Sequence, residues 1–511
     1  MSFFSWYFLL FLAGALLLYY GMPKKLRWLI LLAVSLCFYY LGGWRGLLYL
    51  LFTAATTYGA GLLLDRLNAR AKADKTRKVK GKKQLVLTLC LLLNFGLLYV
   101  VKYWNFTASA FGRLGVDLPV SSLLMPLGLS FYMFQSVGYT VDCYRGKYPA
   151  QRNPLKYLLF VSFFPQMVQG PISRYDQLGP QLMEPHSWNA DNVKYGLQLV
   201  LCGYLKKLLI ADRAAVVVQT VFGRSGSYGG AVYAFSVLFY CIQLYCDFSG
   251  GIDITRGVAQ MFGIDLAENF RRPIFATSLA DYWRRWHITL GTWMRDYVFY
   301  PLAFSKPLAA LSRWTRKRFG GKLGKVIPTA CATFVVYLII GIWHGANFRY
   351  IFFGLYNGAI MTTSVLMAAR FSKWKKKLKL NDKQPLFHGF QLVRTMLLVF
   401  VGRYITRAAR LKYALYMLKK TVLHPCLYQI KGGVLGKLGL TGLDYGIVAL
   451  GVAILLFLEW RQERGVEIRK SLEQKNAFIQ WLFIFLPLAA LLYHFAFSGS
   501  AVDVNLIYQQ F

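Results

Sequence analysis

The chain has 511 residues, 56% of them hydrophobic, 17% aromatic and only 16% charged, and its mean hydropathy is +0.40. A water-soluble globule carries about a quarter charged residues, so the composition excludes one. The net charge of +39, from 60 Lys and Arg against 21 Asp and Glu, suggests nucleic acid at first sight. The basic residues sit between apolar runs, where the positive-inside rule puts them, and that placement argues for no nucleic-acid partner.

Apolar stretches long enough to cross a hydrocarbon layer of roughly 30 Å recur from end to end. They fall at Phe3–Tyr20, Leu26–Leu41, Leu47–Leu64, Leu85–Val101, Leu123–Val141, Leu155–Val168, Val193–Ile210, Ala231–Tyr245, Val326–Trp343, Tyr350–Met367, Leu386–Val401, Tyr445–Leu458 and Ile479–Phe497. Some are short or broken by Gly and Pro, which gives about ten to thirteen spans in an all-α polytopic membrane protein. The first stretch lacks a basic leader and a small-residue cleavage site, so it reads as a retained helix. The "MPKKLR" that follows it puts the N-terminus outside. The basic segments Arg66–Lys83, Arg313–Lys325 and Arg370–Lys379 then face the cytoplasm. There they serve topology and attraction to anionic lipid, or else dock an acidic carrier or nucleotide. The eight cysteines include no C-x-x-C pair, so neither a disulfide framework nor a zinc site is expected.

No period of 20–50 residues is visible, and no pair of matching broken half-sequences of the kind many transporters show. By texture the chain reads as one membrane domain, 1–511, in three parts. Residues 1–118 are N-terminal spans, 119–357 hold the chemistry-bearing segments, and 358–511 return to ordinary spans. The central part interrupts its apolar runs in "LMPLGLSFYMFQSVGYTVDCYRG" (Leu124–Gly146), "FFPQMVQGPISRY" (Phe163–Tyr175) and "YCDFSGGIDITRG" (Tyr245–Gly257). Irregular or polar backbone at membrane depth survives only when buried in protein or lining a wet cavity. Gln135, Gln166, Gln169, Asp247 and Asp253 are therefore expected around a polar pocket, with the alternative that the two aspartates cap short helices.

Ser278–Leu302 reads as one helix, opened by Ser278 and Asp281 as a capping box. Trp283, Trp286, Leu290, Trp293 and Tyr297 share one face of it, while Arg284, Arg285, Arg295 and Asp296 fall largely off that face. A tryptophan stripe opposite arginines describes a helix at the membrane–water interface, with Asp281 pairing Arg285. His287 flanks the stripe, as an anchor or as a catalyst. His344 ends the run "ATFVVYLIIGIWHGANF" beside Gly341, Gly345 and Ala346, which permit close approach by a ligand or a second backbone. A histidine at that depth is expected to be neutral and able to accept a proton, unless it is simply a hydrogen-bonded structural residue. His186, His388, His424 and His494 lie where nothing else suggests a site. No zincin, P-loop or nucleophile-elbow pattern occurs.

At these residues the sequence resembles the membrane-bound O-acyltransferases, in the bacterial branch that O-acetylates alginate or D-alanylates teichoic acid. The matching text is "PLGLSFYMFQSVGYTVDCYRG", "FFPQMVQGPISRY", the long segment Cys246–Leu302, and "GIWHGANF", together covering most of Pro126–Phe348. The chain departs from the family in "YPLAFSKP" (Tyr300–Pro307) and "GGID" (Gly250–Asp253), which bears on donor and acceptor identity. The C-terminal "NLIYQQF" and the length look more like the acetylating members. The resemblance implies interfacial and re-entrant helices around a central funnel or tunnel in a bacterial plasma membrane. His344 maps onto the family's catalytic histidine and His287 onto its second active-site histidine. The expected substrate- and donor-binding set is Trp283, Arg284, Arg285, Trp286, Trp343, Asn347, Asp247, Ser249 and Gln169, with no metal. No cofactor is expected to bind tightly; acetyl-CoA or another acyl thioester is the expected donor substrate.

In the implied reaction His344 accepts the proton of an acceptor hydroxyl, and His287 holds the thioester carbonyl or orients the donor. Expected partners are membrane lipid, the acyl thioester donor, and either an extracytoplasmic serine-esterase-like acetyltransferase or an acyl carrier protein. D-alanyl transfer to teichoic acid is the alternative within the family. A transporter or flippase of lipid-linked sugars is the alternative of another class.

Overall fold

The computed structural model describes residues 3–73, 77–224 and 226–497; the C-terminal "NLIYQQF" lies outside them, as do residues 74–76 of the first basic segment. Among the described residues, eight helices are long and apolar enough to cross a membrane. They coincide with eight of the apolar runs. The other five runs form shorter helices, among them Trp6–Gly21, Arg27–Leu41 and Leu129–Arg145. Among the described residues, one bridge between extended segments occurs, joining Phe270 and Trp286.

The chain falls into two compact units. The first comprises Met1–Cys202 and Gly251–Ala267. In it the run Leu155–Val168 divides into helices Pro154–Ser162 and Phe164–Gln169, separated at Phe163. Pro165 has no N–H to give a preceding turn, so the break leaves carbonyls to be met by side chains. Gln135 Nε2 donates to Phe160 O at 2.6 Å, and Gln166 Nε2 donates to Gln135 Oε1 at 3.0 Å. These two glutamines therefore hold a broken backbone together at depth. Gln169, fully buried, also serves this packing: its carbonyl accepts from Thr255 Oγ1 at 3.0 Å.

The second unit comprises Gly203–Gly250 and Glu268–Phe511. Its main feature is a helical hairpin, Lys306–His344 and Phe348–Lys377, joined by three residues. The arms meet at small residues: a Cβ on Gly341 would lie 2.5 Å from Tyr350 O and 2.7 Å from Gly354 Cα. The basic segments between the apolar runs are largely helical here. Arg313–Lys325 lies within the first arm around a kink at Gly320 (φ 79°), and Arg370–Lys377 forms the end of the second. Lys, Arg and Ala are good helix formers, so the helices run on past their apolar stretches.

Two expectations of local structure are overturned. Asp247 and Asp253 do not cap short helices, because Gly230–Met261 is one helix of 32 residues. The glycines that suggested breaks instead allow close packing; a Cβ on Gly250 would meet Gly203 O at 2.8 Å. Nor is Ser278–Leu302 one helix. It divides into Leu279–Arg285, Ile288–Met294, a wide turn Arg295–Phe299 and Tyr300–Ala303. The tryptophan stripe accordingly does not run along one outer face, and Trp286 and Trp293 are buried in protein.

Candidate active site

The break in that helix positions His287. Trp286 is extended and pairs with Phe270, so that Arg271 N–H donates to Arg285 O at 2.9 Å and Ile288 N–H to Asn269 O at 3.0 Å. Between these bonds His287 takes a left-handed conformation, φ 49° and ψ 53°. That conformation is uncommon for a side chain with a Cβ, and it persists only where the surroundings over-determine it. Asn269 does so here. Its Oδ1 accepts from Thr289 N–H at 3.0 Å and from Thr289 Oγ1 at 2.9 Å, and lies 3.2 Å from His287 Nδ1.

The same contact sets the tautomer of His287. A backbone N–H can only donate, so the Asn269 atom facing Thr289 N is the oxygen, and His287 Nδ1 must carry the hydrogen that points at it. Neutral His287 then presents Nε2 as an acceptor. Burial first, and the nearby His344 second, push the pKa of His287 well below the usual range for histidine. The ring is 3% exposed and packs edge-on to Phe248 at 4.9 Å between centroids.

His344 is the last residue of its helix; Gly345 N–H closes that end on Ile342 O at 3.2 Å. Asn347, an expected binding residue, caps the next helix by accepting from Arg349 N–H at 3.0 Å. Trp343 neighbours both histidines, its ring 5.9 Å from that of His287 and 5.1 Å from that of His344. A Cβ on Gly345 would lie 2.7 Å from the Tyr350 ring, so the small residue beside His344 accommodates an aromatic wall. His344 lines a cleft of about 30 Å³ together with Trp283, Trp286, Tyr350, Phe353 and Arg403, among others. That volume admits a hydroxyl or a water but no sugar ring. Trp283 brings a further polar group, since its Nε1 is buried with no hydrogen-bond acceptor among the described residues.

The other expected site residues disperse. Arg285 bonds Asp281 at 3.1 Å, as its spacing implied, and also Glu463 at 3.0 Å. Arg284 points outward, with its side chain 73% exposed. Asp247 is held by Lys207 at 2.7 Å. Ser249 is buried in the same helix, and its Oγ has no hydrogen-bond partner among the described residues. Gln169 belongs to the first unit. The eight cysteines are free thiols. A larger groove of about 650 Å³, lined by Phe275, Leu397, Phe400, Phe457 and Trp460 among others, is almost wholly apolar and suits a hydrocarbon chain, not this chemistry.

Sequence reading missed Asn269, Tyr350, Phe353 and Arg403. Arg403 carried the clearest signal, an arginine two residues beyond the end assigned to an apolar run. In the structure it is 6% exposed inside the helix Pro385–Arg407.

Asn269→Asp separates the positioning role of Asn269 from simple packing. Aspartate keeps the acceptor for Thr289 and for His287 Nδ1, and its charge favours imidazolium, which raises the pKa of His287. The acidic limb of the activity profile is expected to move to higher pH, because neutral His287 is then lost sooner as pH falls. Asn269→Ala strands buried donors and is expected to cost about 1–3 kcal/mol of stability. Initial rates across pH, with thermal unfolding alongside, check both; an unmoved acidic limb in Asn269→Asp would refute the tautomer role.

A bundle of membrane-crossing helices that brings two histidines together around one tryptophan defines a polytopic membrane enzyme. Residues 146–314 match the profile of MBOAT, the membrane-bound O-acyltransferase family. The chain is 32% identical over 460 residues to the probable alginate O-acetylase AlgI of Pseudomonas aeruginosa, covering 89% of this chain and 80% of that protein. It is 32% identical over 307 residues to a peptidoglycan O-acetyltransferase of Helicobacter pylori, 55% of each chain. It is also 28% identical over 294 residues to a teichoic acid D-alanyltransferase of Bacillus subtilis, 56% of this chain and 70% of that one. The chain belongs to the membrane-bound O-acyltransferase family. It is a multi-pass membrane acyltransferase.

Proposed function

We propose that the chain moves an acetyl group from a cytoplasmic thioester, acetyl-CoA in the simplest case, to a hydroxyl used for O-acetylation of an extracytoplasmic polysaccharide. The observation that carries this reading is the position of His344, at a helix end and lining a cleft beside the unmet N–H of Trp283. His344 takes the proton from the acceptor hydroxyl as its oxygen attacks the thioester carbonyl. The carbonyl oxygen gains charge, and the Trp283 N–H is the donor at hand for it. Collapse of the tetrahedral species breaks the carbon–sulfur bond, and the leaving thiolate takes back the proton from His344. Free thiol and O-ester are the products. His287 presents an acceptor nitrogen and packs on Trp343, so of its two expected roles positioning fits and holding the carbonyl oxygen does not.

Similarity to the alginate O-acetylase over most of both chains favours acetyl over D-alanyl, since the D-alanyltransferase match covers only 56% of this chain. The basic helix ends draw an anionic donor to the inner face. An extracytoplasmic serine-esterase-like protein or an acyl carrier protein completes the path. Chemical analysis of envelope polymers, with and without the gene, tests the proposal. Loss of acetyl ester is expected; loss of D-alanyl ester would move the assignment to the alternative. Unchanged esters would overturn the proposed acetyl transfer to an envelope polymer.

A further inference from the structure

In the second unit Arg403 lines the His344 cleft, and Arg349 stacks on Tyr350, another residue of its lining. Arg403 Nη2 donates to Tyr282 Oη at 2.8 Å, and its guanidinium carbon lies 5.1 Å from the centre of the Trp286 ring. Arg407, one helical turn onward, sits 5.4 Å over Phe222. Arg349 sits 4.7 Å over Tyr350 and donates to Ala408 O and Tyr350 Oη, while its Nε is buried with no acceptor among the described residues. Arg349 and Arg407 lie within electrostatic reach of each other. Among the described residues, none of the three has a carboxylate within 4.0 Å.

Buried charges in proteins are paired, and like charges gathered together repel. Aromatic faces and hydroxyls compensate a guanidinium only partly. Arg403 on the cleft, with Arg349 and Arg407 in reach of each other near it and no carboxylate beside any of them among the described residues, therefore describes a place prepared for an anion from outside, and the forked donors match carboxylate or phosphate oxygens.

The helix gives the side of the membrane. Pro385–Arg407 starts just after the lysine-rich end Lys375–Lys383 and carries Arg403 and Arg407 at its other end, 23 residues in all. That is roughly 34 Å of helix, a membrane thickness. The positive-inside rule puts the lysines in the cytoplasm and the arginine cluster toward the outer face. The thioester donor is cytoplasmic, so the anion belongs to the acceptor.

We propose that Arg349, Arg403 and Arg407 bind the anionic group, carboxylate or phosphate, of an acidic glycan unit serving as acyl acceptor, and present its hydroxyl to His344. The proposal rests on the acyl-transfer reading. Its test therefore measures binding without any acyl donor. The full chain in detergent is titrated with a hexuronate oligosaccharide, a glycerol phosphate oligomer, a neutral hexose oligosaccharide and coenzyme A, following tryptophan fluorescence. At least one anionic oligomer is expected to bind more tightly than the neutral one, by about ten- to a hundredfold. Arg403→Gln and Arg407→Gln are expected to abolish that preference, and Arg403→Lys to restore part of it. Arg407 is only part-buried, so its variant keeps the test alive if Arg403→Gln does not fold.

Equal binding of anionic and neutral oligomers overturns the proposal, as does a preference that survives both glutamine variants. A loss of coenzyme A binding in those variants overturns it too, by giving the cluster to the donor. Arginine-dependent anion binding with no ester formed on adding acetyl-CoA upholds the site and removes direct transfer to the bound glycan. Ester formation with arginine-independent binding does the reverse.

Discussion

His344→Ala is expected to lower acyl transfer by about 10²- to 10⁴-fold, the usual contribution of a positioned general base, with the protein still folded. The side chain of His344 is only part-buried and ends its helix, whose last turn is closed by a backbone bond from Gly345. Alanine is the better helix former at that position. His344→Gln is expected to lose as much: it offers hydrogen bonds but no proton acceptance near neutral pH. Ester formation per folded molecule is the measurement, with thermal unfolding as control. Activity retained in His344→Ala, or restored in His344→Gln, would remove the base from the mechanism. His287 gives a less direct test, since its ring is 3% exposed and tied to Asn269. Its removal opens a cavity, so a loss of activity there mixes positioning with stability.

The difference between those two histidines was only half legible in the sequence. That His344 ends a membrane helix beside small residues follows from the apolar run and its glycines. The environment of His287 does not, because it is made by Asn269, 18 positions away. Helical periodicity continued through "YWRRWHITLG", and a bridge to Phe270 overrode it. The glycines of "YCDFSGGIDITRG" misled in the other direction. Glycine both breaks helices and lets them touch, and only a neighbour such as Gly203 decides which. The spans were legible throughout, since hydrocarbon demands long apolar helices whatever the tertiary partners. Arg403 was legible in principle: an arginine at the end of an apolar run marks either the water or a site, and its neighbours decide.

Asp247 leads to the second large effect. Read from sequence as a site residue, it stands 1% exposed against Lys207, whose ammonium lies 2.7 Å from Asp247 and 2.7 Å from Asp212. The pair exists because Gly250 and Gly203 let their helices come close; Lys207 N is among the nearest atoms to where a Cβ on Gly250 would be. Removing one partner from a buried pair strands the other charge. Lys207→Met is therefore expected to destabilise the protein by on the order of 3–5 kcal/mol, because it strands Asp247 at depth and leaves Asp212 unmatched. Asp247→Asn is expected to cost less, since Lys207 keeps Asp212, and the double variant Lys207→Met with Asp247→Asn should recover part of the lysine loss. Thermal unfolding of the purified protein orders the three. Neither Lys207 nor Asp247 lines the His344 cleft, so turnover per folded molecule is expected to stay near that of the unaltered chain. A Lys207→Met protein as stable as the parent would show that the pair is not what holds these helices. If Asp247→Asn abolished turnover without loss of stability, Asp247 would return to the site, since a structural ion pair acts on the amount of folded enzyme and not on its rate.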